Sequence, residues 1–111
     1  MKIKFVSSEK TAKILKDHFW DIDYINNDKD LVNLAYSLFN NEQSLIGTSD
    51  RTNYGHDKPC MILWARYRDR NYQLVLDSND LTTVINVFPL TQSLVTMYHR
   101  IQNYGMEPLH K

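Results

Sequence analysis

The chain contains one cysteine, three glycines and three prolines among its 111 residues. With Cys60 alone no internal disulfide can form, which is typical of a reducing compartment. No apolar run approaches the ~18 residues that a membrane-spanning helix needs. The N-terminal segment MKIKFVSSEK also lacks the apolar centre of a secretion signal. We therefore expect a cytoplasmic protein with no membrane partner and with Cys60 as a small buried hydrophobe.

Motifs of several large enzyme classes are missing as well. There is no phosphate-binding glycine loop, no G-x-S-x-G elbow and no dinucleotide fingerprint. The four histidines lie far apart in the sequence, and a structural zinc site needs closely spaced nitrogen or sulfur ligands. We therefore expect neither a metal nor a cofactor.

The net charge is zero, from 13 basic and 13 acidic side chains. This balance argues against a general nucleic-acid binder, whose affinity comes mostly from neutralising phosphates, and we expect no DNA partner. The charges are nevertheless segregated. Residues 17–30 hold five Asp against one Lys, whereas residues 51–70 hold five basic side chains against two Asp. An acidic and a basic region on one domain suit an anionic substrate or a charged partner.

Length and composition bound the fold. At 111 residues and 42% hydrophobic, the chain suffices for a single domain, residues 1–111, with a real core. We predict an α+β domain with two N-terminal helices packed on an antiparallel sheet, and a C-terminal helix. The expected elements are an edge strand at Lys2 to Val6, a helix from Glu9 to about Trp20, a second helix capped by Asn27 or Asp28, three strands within Cys60 to Leu90, and a last helix opened by Pro89 and Thr91.

The alternating segment from Cys60 to Leu90 dominates this prediction. Arg70-Asn71 and Asn79-Asp80 are polar breaks typical of two-residue hairpin turns. Side chains two apart share a face of a strand, so the pattern sorts the sheet into a core face and a second face. The predicted core face carries Leu63, Ala65, Tyr67, Leu74, Leu76, Ile85 and Val87. The second face carries Arg66, Arg68, Gln73, Asn86, Trp64, Val75, Val84 and Phe88, and an ordinary solvated surface is one interpretation of it.

Two further segments are predicted to lack regular structure. Asn40 to Pro59 reads as one long polar connection, and loops of that length inside a compact domain are often functional. It contains Arg51, His56 and Lys58. The C-terminal MEPLHK, after a Gly105 predicted to stop the last helix, is expected to be frayed.

The His, Arg, Lys and hydroxyl side chains of the sequence suit metal-independent RNA cleavage through the 2′-hydroxyl. This reaction needs a base, an acid and cations for the negative charge on the phosphorane. The candidate catalytic residues are His56, Lys58 and Arg66; the candidate substrate-binding residues are Arg51, Arg68, Gln73 and Asn86. Histidine titrates near neutrality, arginine matches phosphate oxygens, and amides bind base edges. Each of these residues also has a plain surface role as its alternative.

The segment RTNYGHDKPCMILWARYRDRNYQLVLDSNDLTTVINVFP resembles the C-terminal half of the barnase–EndoU–colicin–RelE-like ribonuclease superfamily. The similarity is carried by LVLDSNDLTTVINVFP, in which a strand ending in Asp77 is followed by a strand ending in Pro89. The resemblance implies two helices before an antiparallel sheet and a ribonuclease toxin, acting in the cytoplasm and in some members delivered into a target cell. It further implies inhibition by a cognate immunity protein or antitoxin. Asn86 stands where members of this superfamily often have a strand Thr or Ser.

A non-enzymatic alternative stays open. A small neutral domain with an acidic region is also typical of an immunity protein, an antitoxin or a phage-encoded inhibitor. Carboxylates between Asp17 and Asp30 would then cover the basic active site of a partner.

Overall fold

The computed structural model describes residues 2–18, 22–49, 60–90 and 105–110. It contains two helices and six strands in one sheet, which confirms the α+β class. The elements are β1 (Lys4–Phe5), α1 (Ser8–His18), α2 (Asp28–Asn40), β2 (Leu45–Ser49), β3 (Cys60–Tyr67), β4 (Arg70–Asp77), β5 (Asp80–Leu90) and β6 (Glu107–Pro108). The predicted C-terminal helix falls largely on residues 91–104, outside the described part of the chain.

The sheet is mixed, with the strand order β1-β5-β4-β3-β2-β6. Strands β3, β4 and β5 pair antiparallel in sequence order, whereas β1 lies at one edge and runs parallel to β5. The sheet is therefore mixed, whereas an antiparallel sheet was predicted. Leu15 of α1, Leu34 of α2 and Leu74 of β4 are fully buried and belong to one hydrophobic cluster.

Helix α2 begins where its sequence indicates. The Asn27 Oδ1 atom accepts a hydrogen bond of 2.9 Å from the backbone N–H of Asp30. This is the N-cap arrangement, in which a side chain provides an acceptor for one of the first-turn N–H groups that have no partner within the helix. The Asp30 carboxylate in turn accepts from the backbone N–H of Asn26 at 3.0 Å. The predicted Asn27 cap is confirmed.

Both hairpin turns lie earlier in the chain than predicted. Tyr67 pairs with Arg70, so the first turn is Arg68-Asp69 rather than Arg70-Asn71. Arg68 and Asp69 have φ of 49° and 61°, and positive φ at both central residues is the requirement of a type I′ turn. The second turn lies between Asp77 and Asp80, one residue before the predicted position. Asp69 and Asn71 are both of residue types enriched at positive φ, so composition did not distinguish the two Arg-containing pairs.

A β-bulge in β5 reverses two of the predicted side-chain positions. Val75 pairs with Asn86 and Leu76 with Val84, which leaves Ile85 as the extra residue. Val84 is consequently fully buried in the main core, whereas Ile85 packs with Cys60 and Val75 on the other side of the sheet. The prediction had these two residues on the opposite faces.

The second face of the sheet is not the solvated surface that was considered above. Val75 is fully buried and Trp64 is 2% exposed, so the centre of the sheet is buried on both sides. Arg66, at one end of this face, is exposed. Cys60 is 1% exposed, which confirms the prediction of a small buried side chain.

Two strands formed where none was predicted. Residues 45–49 of the presumed long connection form β2, which pairs with β3 from Leu45↔Trp64 to Ser49↔Cys60. The presumed frayed tail contains β6, which pairs with β2, and the Leu109 N–H donates to the Ser44 carbonyl at 2.9 Å. Both strands depend on partners distant in sequence, which local composition does not reveal. Within the described residues, neither helix has the length and apolar character needed to cross a bilayer.

Candidate functional site

The end of the β3–β4 hairpin holds one of the predicted cations in a defined position. Arg66 is exposed, and its guanidinium Nη2 donates a hydrogen bond of 3.0 Å to the carbonyl oxygen of Asp69. The bond spans the turn residues Arg68 and Asp69, so the turn itself helps to orient the arginine. Opposite Arg66 in the ladder lies Asn71, whose side chain shares the same side of the sheet.

The connection between α2 and β2 is tied to the same end of β3. The Asn41 Nδ2 group donates to the Arg66 carbonyl at 3.0 Å, and its Oδ1 atom accepts from the Gln43 N–H at 2.8 Å. The Ser44 hydroxyl, in a buried residue, donates to the Asn41 carbonyl at 2.7 Å. These bonds fix the Asn41 side chain against the backbone of Arg66.

Together these segments form a pocket of about 140 Å³ that is open to solvent. We name it the Arg66 pocket; its lining includes Asn41, Gln43, Leu45, Trp64, Arg66 and Asn71. Its polar groups are a cation and three amides, and none of these lining residues is a carboxylate. Its apolar lining includes Leu45 and the β3 partner of Leu45, Trp64, which is 2% exposed and presents little surface to the pocket.

The Trp64 side chain is held in place by a hydrogen bond. The Trp64 Nε1–H donates a buried hydrogen bond of 2.8 Å to the Gln73 Oε1 atom, across the β3–β4 ladder. Gln73 is 6% exposed, so this predicted substrate-binding amide lies inside the protein and supports Trp64. Burial of both polar groups is tolerated because each satisfies the other.

Arg68 lies on the other side of the hairpin from Arg66, although the alternation predicted a shared face. Its guanidinium carbon is 4.6 Å from the ring centre of Tyr24 and 5.6 Å from that of Tyr67, a cation–π arrangement. Hydrogen bonding to Tyr67 is the main cause that raises the pKa of Arg68 above its usual value. The turn residues leave the strand alternation, and this separates the two arginines.

Below Arg68 is a tyrosine cluster that the sequence did not reveal. Tyr72 is fully buried, and its hydroxyl shares a hydrogen bond with the hydroxyl of Tyr24. Tyr67 makes edge-on ring contacts with both. Burial, and then the bond with Tyr24, raises the pKa of Tyr72. The only signal was the presence of Tyr67 and Tyr72 near one turn; Tyr24 reaches them from a segment more than forty residues earlier.

Asn86, the remaining predicted amide, is half-buried in the β5 bulge. Its Oδ1 atom accepts a hydrogen bond of 2.9 Å from the Val87 N–H. Asn86 pairs with Val75, four residues along β4 from the partner of Arg66, which corresponds to about 13 Å. The structure therefore does not bring Asn86 into the Arg66 pocket.

Arg51, His56 and Lys58 lie outside the described residues, and their predicted roles stay predictions. The chain nevertheless limits their reach. Cys60 and Arg66 stand at opposite ends of β3, about 20 Å apart at the ordinary rise of a strand. The four residues from His56 to Cys60 span at most about 14 Å. His56 therefore approaches Arg66 only if this stretch runs back along β3.

The Cys60 end of the sheet is acidic. Cys60 pairs with Asp77, and Asp77 with Asp80. Hydrogen bonds from the Thr82 and Thr83 side chains are the main cause that lowers the pKa of Asp80, while burial, and then Asp77, raises the pKa of the Cys60 thiol. In the described parts of the chain, no group of three or more His, Cys, Asp or Glu side chains is arranged to hold a metal ion.

Neither the protein-family models nor the curated proteins nor the solved structures contain a match to this chain. The Arg66 pocket is thus characterised by its own geometry. It joins one predicted residue, Arg66, to three amides that were not predicted as site residues. Asn71 had a usable signal, because the correct turn places it opposite Arg66. Asn41 and Gln43 lie at the start of the connection that was predicted from Asn40 to Pro59, but nothing in the sequence distinguished them within it.

Proposed function

We propose that this chain is a metal-independent ribonuclease that binds RNA at the Arg66 pocket. One observation carries the proposal: an exposed guanidinium lines a pocket with three amides. Arginine presents a planar set of donors to phosphate oxygens, and amides read base edges. Arg66 is the binding residue of this proposal, because the reach of the chain separates it from His56 unless residues 56–59 double back.

The reaction proposed is transesterification by the 2′-hydroxyl. His56 removes the 2′-proton, the 2′-oxygen forms a bond to phosphorus, and the bond from phosphorus to the 5′-oxygen breaks. The departing 5′-oxygen takes up a proton, which leaves a 2′,3′-cyclic phosphate and a free 5′-hydroxyl. Lys58 and Arg51 would offset the negative charge that develops on the phosphorane oxygens. Nothing in this sequence of bonds requires a metal or a redox partner.

The order of elements also favours this proposal. Two helices precede consecutive antiparallel strands, the layout implied by the resemblance to the barnase–EndoU–colicin–RelE-like ribonucleases. The finer form of that fold, with both helices packed on the sheet and a further helix after β5, is part of the proposal. A cytoplasmic RNA target, and a cognate immunity protein or antitoxin that blocks the site, follow from it.

The test is incubation of the purified chain with total RNA and with tRNA in EDTA. We expect discrete cleavage products that end in a 2′,3′-cyclic phosphate. His56→Ala is expected to slow cleavage by at least ~100-fold, the usual contribution of a general acid–base group. Arg66→Gln is expected to weaken RNA binding by about 10–100-fold, because it removes a charge-assisted phosphate contact worth ~1.5–3 kcal/mol.

Lys13→Gln is the matched control, since it removes an exposed cation from α1, away from the pocket. Cleavage at the wild-type rate by His56→Ala would reject His56. Intact RNA in the presence of the folded wild-type chain would reject the ribonuclease.

A second candidate, an inhibitor of a basic protein, is favoured by one observation. Asp17, Asp23 and Asp28 are all exposed around the connection between α1 and α2. Such carboxylates can cover a cationic active site, and they accelerate association through long-range attraction. Expression distinguishes the two candidates: an active ribonuclease arrests the growth of its host unless an immunity partner is present, whereas an inhibitor does not.

A further inference from the structure

The size of the Arg66 pocket restricts what it can hold. Its volume is about 140 Å³. A cavity of about 150 Å³ engineered in another protein accepts one benzene molecule, so a pocket of this size matches a single six-membered ring. A bicyclic ring system needs more room. The volume therefore favours a small planar ring over a purine.

The chemistry of the lining favours a heterocycle over a simple anion. Asn41, Gln43 and Asn71 carry amides that both donate and accept hydrogen bonds, while Leu45 supplies apolar surface. A phosphate group gains nothing from an apolar wall, and loses hydration against it. A pyrimidine ring uses both parts, because its faces are apolar and its edge alternates donors and acceptors.

The pocket is also held in shape before any ligand binds. Trp64 is fixed by its bond to Gln73, Asn41 by its bond to the Arg66 carbonyl, and Arg66 by its bond to the Asp69 carbonyl. Groups already ordered in this way lose little conformational entropy on binding. Such preorganisation is a property of recognition sites.

We propose that the Arg66 pocket holds one unpaired pyrimidine base of single-stranded RNA. The base lies against the apolar side of the pocket at Leu45, its edge meets the amides of Gln43 and Asn71, and the guanidinium of Arg66 contacts the adjoining phosphate. This inference rests on the proposed function and deepens it, since it makes the pocket the determinant of base preference. Duplex RNA is excluded as a substrate, because a paired base cannot enter.

Trp64 offers a direct reporter. The chain has two tryptophans, and in a Trp20→Phe background the fluorescence comes from Trp64 alone. We titrate this protein with CMP, UMP, AMP, GMP, cytidine and inorganic phosphate. The expected result is a saturable fluorescence change with CMP and UMP, which bind at least ~10-fold more tightly than the purine nucleotides. Inorganic phosphate is expected to cause no change.

Substitutions in the pocket test which side chains contribute to nucleotide binding. Gln43→Ala and Asn71→Ala are expected to weaken CMP binding by about 5-fold or more, since a neutral hydrogen bond contributes ~1 kcal/mol. Gln43 is exposed, so its replacement leaves the core intact. Arg66→Gln is expected to weaken CMP but not cytidine, which lacks the phosphate. Asn33→Ala, an exposed amide on α2, is the matched control and is expected to bind as the parent does.

Each outcome decides between the two proposals. An equal response to purines, or a response reproduced by phosphate alone, overturns the pyrimidine pocket. RNA cleavage without nucleotide binding at Trp64 leaves the ribonuclease standing and rejects this inference. Pyrimidine binding without cleavage keeps the pocket and rejects the ribonuclease.

Discussion

At the scale of single residues, Tyr72 shows how the core admits a polar group. Its ring is fully buried, and its hydroxyl is paired with the hydroxyl of Tyr24. Ionisation would place a negative charge in an apolar site, so burial raises the pKa of this phenol. The neutral form is required in the folded state but not in the unfolded chain.

This difference predicts a sensitivity to alkali. Because the folded pKa of Tyr72 is raised, its contribution to stability is complete below the ordinary value of about 10 and is lost as the pH rises above it. We expect the free energy of unfolding to fall by up to ~1.4 kcal/mol per pH unit above pH 10 through this residue, and Tyr72→Phe to remove that part of the slope.

Urea titrations between pH 7 and 11 measure the slope, and absorbance at 295 nm follows tyrosinate formation. Ionisation of Tyr72 near pH 10 in the folded protein would contradict the prediction.

At the scale of elements, α2 combines a capped start with a continuous apolar stripe. Asn27 satisfies the N–H of Asp30, and Leu31, Leu34, Ala35 and Leu38 are fully buried. The cap decides where the helix begins, and the stripe decides which side of the helix is buried. Both are local features of the sequence, so both were predictable.

Removal of the cap is expected to cost stability without altering the fold. Asn27→Ala leaves the Asp30 N–H without its side-chain acceptor, and the expected loss is about 1 kcal/mol. Asn27→Ser retains an acceptor and is expected to lose less. Asn33→Ala, in the exposed middle of α2, is expected to be neutral or slightly stabilising, because alanine is the better helix former. Urea unfolding monitored by circular dichroism compares the three, and an equal loss for Asn27→Ala and Asn27→Ser would contradict the capping role.

At the scale of the whole molecule, the first strand closes the sheet against a strand some eighty residues later. Lys4 and Phe5 pair with Thr83 and Val84, and Ile3 is 7% exposed in the main core. The contribution of β1 to stability is therefore a tertiary effect.

A matched pair of substitutions measures that contribution. Ile3→Ala removes buried methyl groups and is expected to cost about 2–4 kcal/mol. Val6→Ala, at a residue that is 62% exposed just after β1, is expected to change the free energy of unfolding by less than ~0.5 kcal/mol. Chemical denaturation of both variants tests the difference. A similar small loss for both would mean that β1 is not part of the cooperative fold.

The sequence by itself determined the features that depend on neighbours along the chain. The α+β class, the Asn27 cap and the buried Cys60 follow from helical spacing, strand alternation and local hydrogen bonding. Most assignments to the core face also held, including those of Leu63, Ala65 and Leu74. These patterns have periods of two to four residues, which is why a single chain reveals them.

The tertiary structure alone decided what depends on long-range partners. Strand β2 exists because β3 pairs with it, and the bulge at Ile85 arises from the fit of β5 against β4. Trp64 and Gln73 are buried because the centre of the second face of the sheet is covered. The polar residues in the sequence of that face did not indicate this burial. The Arg66 pocket brings together side chains from the α2–β2 connection and from both strands of the β3–β4 hairpin. No local pattern encodes such a meeting, because it is set by the packing of elements whose residues lie some twenty to thirty positions apart.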